Sequence, residues 1–440
     1  MKKILIAGAA FAAVLALIAV TVGVLVLQRG ARPVPAASPA TPSSPSPAAP
    51  ATQAATQTQP GATTDQGFLY GRVTTADGAV HEGRLRWGGD QEASWGDYFN
   101  GTKKQSPWAI HAPKQRRPVE VFGVKVAYSV REMDVGRLFM ARFGDIARVE
   151  AHGRDVRVFL KSGTVFDLWR FEASDFDDGV RVWNGKGEAV DLDSMQIRAI
   201  EFLPSPSAGS GLYRLHGTVR TPQREFTGFL QWDREKGIGA DELVGHTKDG
   251  EQRLHFDTIR SVARRSGHGV LVGLLDGREM ELASVRNRGI YVDDPRYGRV
   301  LVSWEAFARA DFDAAGSGPA YGDFPPGRPL RGTVTTRGGG RFTGRLVYDL
   351  DESETTETLD APSQDVDFTI PFGLVASIAL PGSEGATVTL HDGEVLPFER
   401  SSDLGEGNAG MLIFVDGREK PEYVPWADVA QVDFDPPPAP

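Results

Sequence analysis

The sequence predicts an all-β fold: tandem repeats of small five-stranded barrels, in three copies of about 110 residues that each comprise two half-units, behind an N-terminal transmembrane helix and a disordered linker. Three observations predict it. The chain opens on an uncharged apolar run, continues through a stretch rich in Pro, Ala, Ser and Thr, and then repeats one set of strand and turn signals three times.

The apolar run covers residues 4–27, between Met1-Lys2-Lys3 and Gln28-Arg29. At roughly 1.5 Å per residue such a helix exceeds a hydrocarbon core of about 30 Å, so residues 1–30 read as a signal anchor. A cleaved signal peptide has a shorter apolar region of about 7–15 residues. Val34-Pro35-Ala36-Ala37-Ser38 still offers small residues to a peptidase, and both outcomes stay open. Lys2 and Lys3 on one side face Arg29 and Arg32 on the other, so the charge rule does not set the orientation alone. An apolar segment followed by a neutral linker is the pattern of a signal anchor. The expected location is therefore the cell membrane, single-pass, with the body extracytoplasmic, either periplasmic or at the cell surface.

Residues 31–67 hold runs such as Pro42-Ser43-Ser44-Pro45-Ser46-Pro47. That composition buries too little apolar area to offset chain entropy, and its prolines favour extended segments. It forms a tether that holds the body roughly 60–100 Å from the membrane. A second proline-rich stretch, residues 436–440, reads as a frayed tail. Cysteine is absent, which excludes disulfides, thiolate metal sites, cysteine nucleophiles and a lipoprotein-type lipid anchor. The net charge of -10 opposes binding to phosphate backbones, and no nucleic-acid partner is expected.

The body repeats with fixed landmarks. Gly71-Arg72-Val73-Thr74-Thr75 recurs as Gly217-Thr218-Val219-Arg220-Thr221 and as Gly332-Thr333-Val334-Thr335-Thr336. Each is followed by a second strand that ends at Trp87, Trp232 or Tyr348. An aromatic with aliphatics at the third and sixth positions beyond it then appears as Phe143/Ile146/Val149, Phe256/Ile259/Val262 and Phe372/Val375/Ile378. Next come alternating strands running into Ser162-Gly163, Asp276-Gly277 and Asp392-Gly393, which are hairpin signals. Trp304 with Phe312, Trp426 with Phe434, and Ser194 with Phe202 close the copies at one spacing. The repeats span 68–204, 211–314 and 328–435, with half-units near 69–150, 153–203, 212–264, 268–313, 329–379 and 385–435. Two hairpins, a one-turn helix and a last strand are the content of a five-stranded barrel filled by alternate side chains.

The first copy is longer than the others by about 30 residues, an insertion assigned to 91–129. It interleaves Trp95, Tyr98, Phe99 and Trp108 with Lys103, Lys104, Lys114, Arg116 and Arg117 in an otherwise acidic chain. Long insertions in compact domains are frequently functional. Trp95, Tyr98, Phe99, Trp108, Lys103, Lys104, Arg116 and Arg117 are therefore the candidate ligand-binding residues. The alternative is a hairpin extension whose aromatics cap the first core. Asn100-Gly101-Thr102 also matches a glycosylation sequon.

The opening of each half-unit resembles the Sm-like and SH3-like small-barrel families. The likeness is carried by Val219-x-Thr221, then Phe226-Thr227-Gly228-Phe229-Leu230 to Asp233, with Phe256-x-x-Ile259-x-x-Val262 as the last strands. The Sm-like pattern has one more residue between that glycine and the aspartate, an Asn after it and a late Arg-Gly, all missing here. The resemblance implies barrel topology without uridine recognition.

No phosphate-binding glycine loop, nucleophile elbow or His-Glu-x-x-His helix is present, and the eight histidines are scattered without the spacing of a zinc site. The acid run Asp349-Leu350-Asp351-Glu352-Ser353-Glu354, continuing through Glu357 to Asp360, offers oxygen ligands of the kind Ca²⁺ prefers, as does Asp175-Phe176-Asp177-Asp178. Glu354 stands where an EF-hand loop requires glycine, and the flanks are strands, so the run reads as a solvated turn. No catalytic residue, metal or cofactor is assigned. The expected function is a non-enzymatic binding or scaffold module of the bacterial envelope, with the membrane and an envelope protein or glycan as partners. The rivals are an envelope glycan-active enzyme with unidentified carboxylates and a purely structural spacer.

Overall fold

A computed structural model describes residues 67–437 apart from 89–90, 113–114, 122–123, 132–137, 207–211, 266, 315–317, 364–365 and 383–384. The expected anchor at 1–30 and nearly all of the linker at 31–67 lie outside the described residues. Among those described, no helix is long and apolar enough to cross a membrane. The body is all-β and built of several sheets, as the strand periodicity requires.

In the first copy the strands are β1 (Tyr70–Thr75), β2 (Val80–Trp87), β3 (Tyr98–Thr102), β4 (Gln115–Val121), β5 (Val124–Arg131), β6 (Leu138–Arg142), β7 (Ile146–His152), β8 (Asp155–Leu160), β9 (Val165–Trp169), β10 (Val180–Trp183), β11 (Ala189–Leu192) and β12 (Ile197–Phe202). The second copy holds β13 (His216–Arg220), β14 (Glu225–Trp232), β15 (Glu242–Thr247), β16 (Gly250–His255), β17 (Ile259–Arg264), β18 (Val270–Leu274), β19 (Glu279–Leu282), β20 (Ile290–Asp294), β21 (Gly298–Val302) and β22 (Arg309–Asp313). The third holds β23 (Arg331–Thr336), β24 (Arg341–Val347), β25 (Thr358–Ser363), β26 (Val366–Pro371), β27 (Val375–Ala379), β28 (Gly385–Leu390), β29 (Val395–Glu399), β30 (Met411–Val415), β31 (Glu422–Val424) and β32 (Val429–Phe434).

All three copies share one topology. The sheet orders are β9-β8-β7-β12-β1-β2-β10-β11, β19-β18-β17-β22-β13-β14-β20-β21 and β29-β28-β27-β32-β23-β24-β30-β31. The last strand of each copy lies between the strands that open and close its first half. Neither half pairs its own first and last strands, so the two halves share one continuous sheet where the sequence led us to expect two separate five-stranded barrels. The repeated glycine of the first strand explains the pairing. A Cβ on Gly71, Gly217 or Gly332 would stand 2.4, 2.2 or 2.0 Å from a carbonyl of the last strand, so only glycine allows that approach.

Each copy also pairs its third strand with the strand that follows in the common frame: β3 with β6 and β15 with β16 as separate two-stranded sheets, and β25 with β26 at the edge of the second copy's sheet. In the second and third copies the turn is short, whereas in the first it is replaced by residues 103–137 carrying the extra hairpin β4–β5. The insertion therefore sits at 103–137, not at 91–129. Trp95, Tyr98 and Phe99 belong to the common frame of the repeat, and their aromatic content had made them look extra.

The recurring aromatics are core. Trp87 lies within 6.1 Å of the rings of Phe99, Phe143, Phe176 and Phe202, Trp232 meets Phe256, Trp304 and Phe307, and Tyr348 meets Phe372 and Trp426. Phe143, Phe256 and Phe372 each open a single 3-10 turn, and their aliphatic followers continue as a buried strand face. One core lies in the first copy, and a continuous one runs through the second and third. That continuity has a backbone cause: β26 of the third copy pairs antiparallel with β21 of the second, extending its sheet to ten strands.

Candidate functional site

The first copy docks segments onto both of the others, and the chain's concentrated charge lies at these joints. Where β14 of the second copy meets the loop before β3, Asp97 accepts from the backbone N–H groups of Glu92 and Ala93 at 2.9 and 2.8 Å. Its other oxygen accepts from Gln231 and lies 3.6 Å from the Arg299 guanidinium. Arg299 also lies 3.5 Å from Asp293, which Arg214 approaches at 3.6 Å. Burial pushes the Asp293 carboxyl up, and the two guanidinium groups oppose that shift. Gly96 makes the approach possible: its φ is +97°, and a Cβ there would stand 1.8 Å from Asp293 Oδ2.

At the joint with the third copy lies a cleft of about 440 Å³. Its walls carry seven carboxyl groups, Glu172, Asp349, Asp351, Glu352, Glu357, Asp360 and Asp403, against one cation, Lys103. The sequence builds it locally. Asp349 and Leu350 follow Tyr348 with φ of 50° and 55°, and this left-handed turn carries Asp351 and Glu352 toward the first copy. Glu357 Oε2 accepts from the N–H groups of Ser353 and Glu354 at 2.5 and 3.0 Å, which fixes the loop. Lys103 reaches in with a side chain only 4% exposed, its Nζ 2.8 Å from Asp351 and 3.5 Å from Glu357. Burial works against the Lys103 charge, but Glu357, Asp351 and Glu352 outweigh it and hold the ammonium above the usual lysine range. Burial drives the Glu352 carboxyl well above the usual range, and Asp351 and Asp403 push the same way.

The acid run is thus a packed joint and not a solvated turn: Glu354 is buried and accepts from the Thr164 hydroxyl of the first copy. Among the described residues, no three His, Asp or Glu side chains are arranged to hold a metal ion.

The eight candidate residues do not form one face. Tyr98 and Phe99 are buried, Tyr98 beneath the Arg299 guanidinium at 4.7 Å and Phe99 against Trp87 at 5.4 Å. Trp95 is half-buried against Phe324 with Arg142 over its ring. Lys103 lies in the acidic cleft, and Lys104 pairs with Asp155 and lies 4.3 Å over the Trp169 ring. Trp108 packs on Phe414 at 5.7 Å beneath Arg345. Arg116 and Arg117 lie on β4, whose side chains are outside the described set. Three of the eight, Tyr98, Lys103 and Trp108, therefore serve the two joints.

Sequence reasoning passed over the acid that anchors the loop ahead of the hairpin in every copy, Asp97, Asp241 or Glu357. Asp241 accepts from the Ile238 N–H at 3.0 Å. The signal was there: an acid stands immediately before the third strand each time. No family model matches the chain, and neither a curated protein nor a solved structure matches it. Fold and joints together define a class: an all-β protein of three like sheets locked to one another by buried ion pairs and strand addition.

Proposed function

We propose that this chain is a membrane-anchored, extracytoplasmic β-repeat protein that acts as a non-enzymatic binding or scaffold module of the bacterial envelope. The observation that carries the reading is the reuse of one repeat face as a docking platform. The outward side of β14, β20 and β21 receives Asp97 and Tyr98, and the corresponding side of β24 and β30 receives Trp108. A repeat that takes up two unlike segments within one chain has the properties of a recognition module. The apolar run and the proline-rich tether supply its place at the membrane.

The test is fractionation of cells expressing the full chain or a version lacking residues 1–30. The full chain is expected in membranes, resistant to carbonate and released by detergent, with its body cut by protease added to spheroplasts. The shortened chain is expected to be soluble. Carbonate release of the full chain, or protection of its body from protease in spheroplasts, contradicts the reading.

A further inference from the structure

The second copy bears a groove that no joint uses. It has a volume of about 1020 Å³ and opens between the β15–β16 turn, the β17–β18 turn and the segment after β19. Its frame is fixed by backbone hydrogen bonds: His246 and Ala283 exchange a pair at 2.9 and 2.8 Å, Val285 donates to His268 at 3.0 Å, and Arg265 donates to Gly269 at 2.9 Å. Onto this frame converge His246, Lys248, Arg265, His268 and Arg286, all exposed, against Glu281 as the sole carboxylate of the lining. Asp249 follows Lys248 in the turn.

These five side chains have no ion-pair or hydrogen-bond partner among the described residues. Other arginines of the same copy are matched: Arg253 lies 2.9 Å from Glu251 and 3.1 Å from Glu242, and Arg309 lies 2.6 Å from Asp311. A concave wall whose fixed charges are Lys248, Arg265 and Arg286 against the single carboxylate of Glu281 has a net positive field, and guanidinium groups present paired donors to carboxylate or phosphate oxygens. Its volume exceeds the needs of one small anion and lies near the upper end of ligand pockets, roughly 300–1,000 Å³. The lining has no Phe, Tyr or Trp ring on which a base stacks.

From this convergence we infer that the groove binds an acidic glycan, a sugar polymer bearing carboxylate or phosphate groups. The inference goes beyond the function proposed above, which names neither ligand nor site, and does not depend on membrane attachment.

The test is calorimetric titration of the purified full chain, in non-ionic detergent and low salt, with oligogalacturonate, phosphomannan, neutral dextran and a single-stranded oligonucleotide. Binding is expected for one or both acidic glycans, and the one that binds identifies the charged group. Dextran and the oligonucleotide are expected not to bind. Lys248→Glu combined with Arg265→Glu is expected to weaken glycan binding more than tenfold with the thermal midpoint unchanged. Lys186→Glu, an exposed charge on the first copy, is expected to have no effect. Absence of binding to both acidic glycans overturns the proposal. So does tighter binding of the oligonucleotide, or an equal loss in the Lys186 variant, which would mark the attraction as general.

Discussion

Lys103 and Lys248 occupy like places, each just beyond the third strand of its copy, and meet opposite fates. Lys103 is 4% exposed and held between Asp351 and Glu357 of another copy, whereas Lys248 is exposed and has no partner among the described residues. One repeat architecture thus yields a sealed joint in the first copy and an open groove in the second. The difference lies in what the chain supplies opposite the cation. The third copy presents an acid run to Lys103, and no described segment of the chain covers the groove. A buried charge is tolerated only when paired, and an exposed charge costs little to leave unpaired.

Substitutions should separate the two sites by the size of their effect on stability. Lys103→Met leaves two carboxylates buried without their counter-ion and should cost about 3–5 kcal/mol in urea denaturation. Gly96→Ala forces a left-handed backbone on a residue with a Cβ that meets Asp293, and should cost about 1–3 kcal/mol by the same measurement. Trp108→Ala removes half-buried ring packing on Phe414 and Arg345 and should cost roughly 1–2 kcal/mol. At the groove, Lys248→Glu with Arg265→Glu should change stability by less than about 0.5 kcal/mol, since neither side chain has a partner to lose. A large destabilisation there would break the contrast.

The titration of Glu352 sharpens the comparison by pH. Its folded-state carboxyl is raised by burial, so the folded protein holds this proton over a pH range in which the unfolded chain has released it. That contribution to stability is present at low pH and is lost as pH rises above the usual glutamate value of about 4.3. Glu352→Gln should therefore gain on the parent as pH rises from about 4 to 7, read from the urea midpoint at each pH. A gap that is constant with pH would show that the carboxyl ionises normally in the fold.

Much of the fold was legible because its signals are local. Asp276-Gly277 and Asp392-Gly393 mark hairpins, and Phe256-x-x-Ile259-x-x-Val262 marks a turn running into a buried strand face. The sheet order was not legible. The pairing of β12 with both β1 and β7 joins residues far apart in sequence, and the close approach at Gly71 leaves only a glycine as its trace. The joints were hidden for a related reason. Lys103 stands among basic and aromatic residues that read as a ligand-binding set, and its partner Asp351 is 248 positions away. Trp95, Tyr98 and Phe99 drew attention as aromatics among charges, which is also how a joint between like domains reads. Scattered histidines gave no warning that His246 and His268 face one groove, because the juxtaposition is made by three separate turns.

The most direct test of the central claim, that buried charge pairs lock the copies into one body, is a double-mutant cycle on Lys103→Met and Asp351→Asn in the full chain. The account predicts a coupling energy of about 1.5–3 kcal/mol, with the double variant more stable than the sum of the single losses allows. Additive losses, to within about 0.5 kcal/mol, would contradict it by showing that the first and third copies are not held together through this pair.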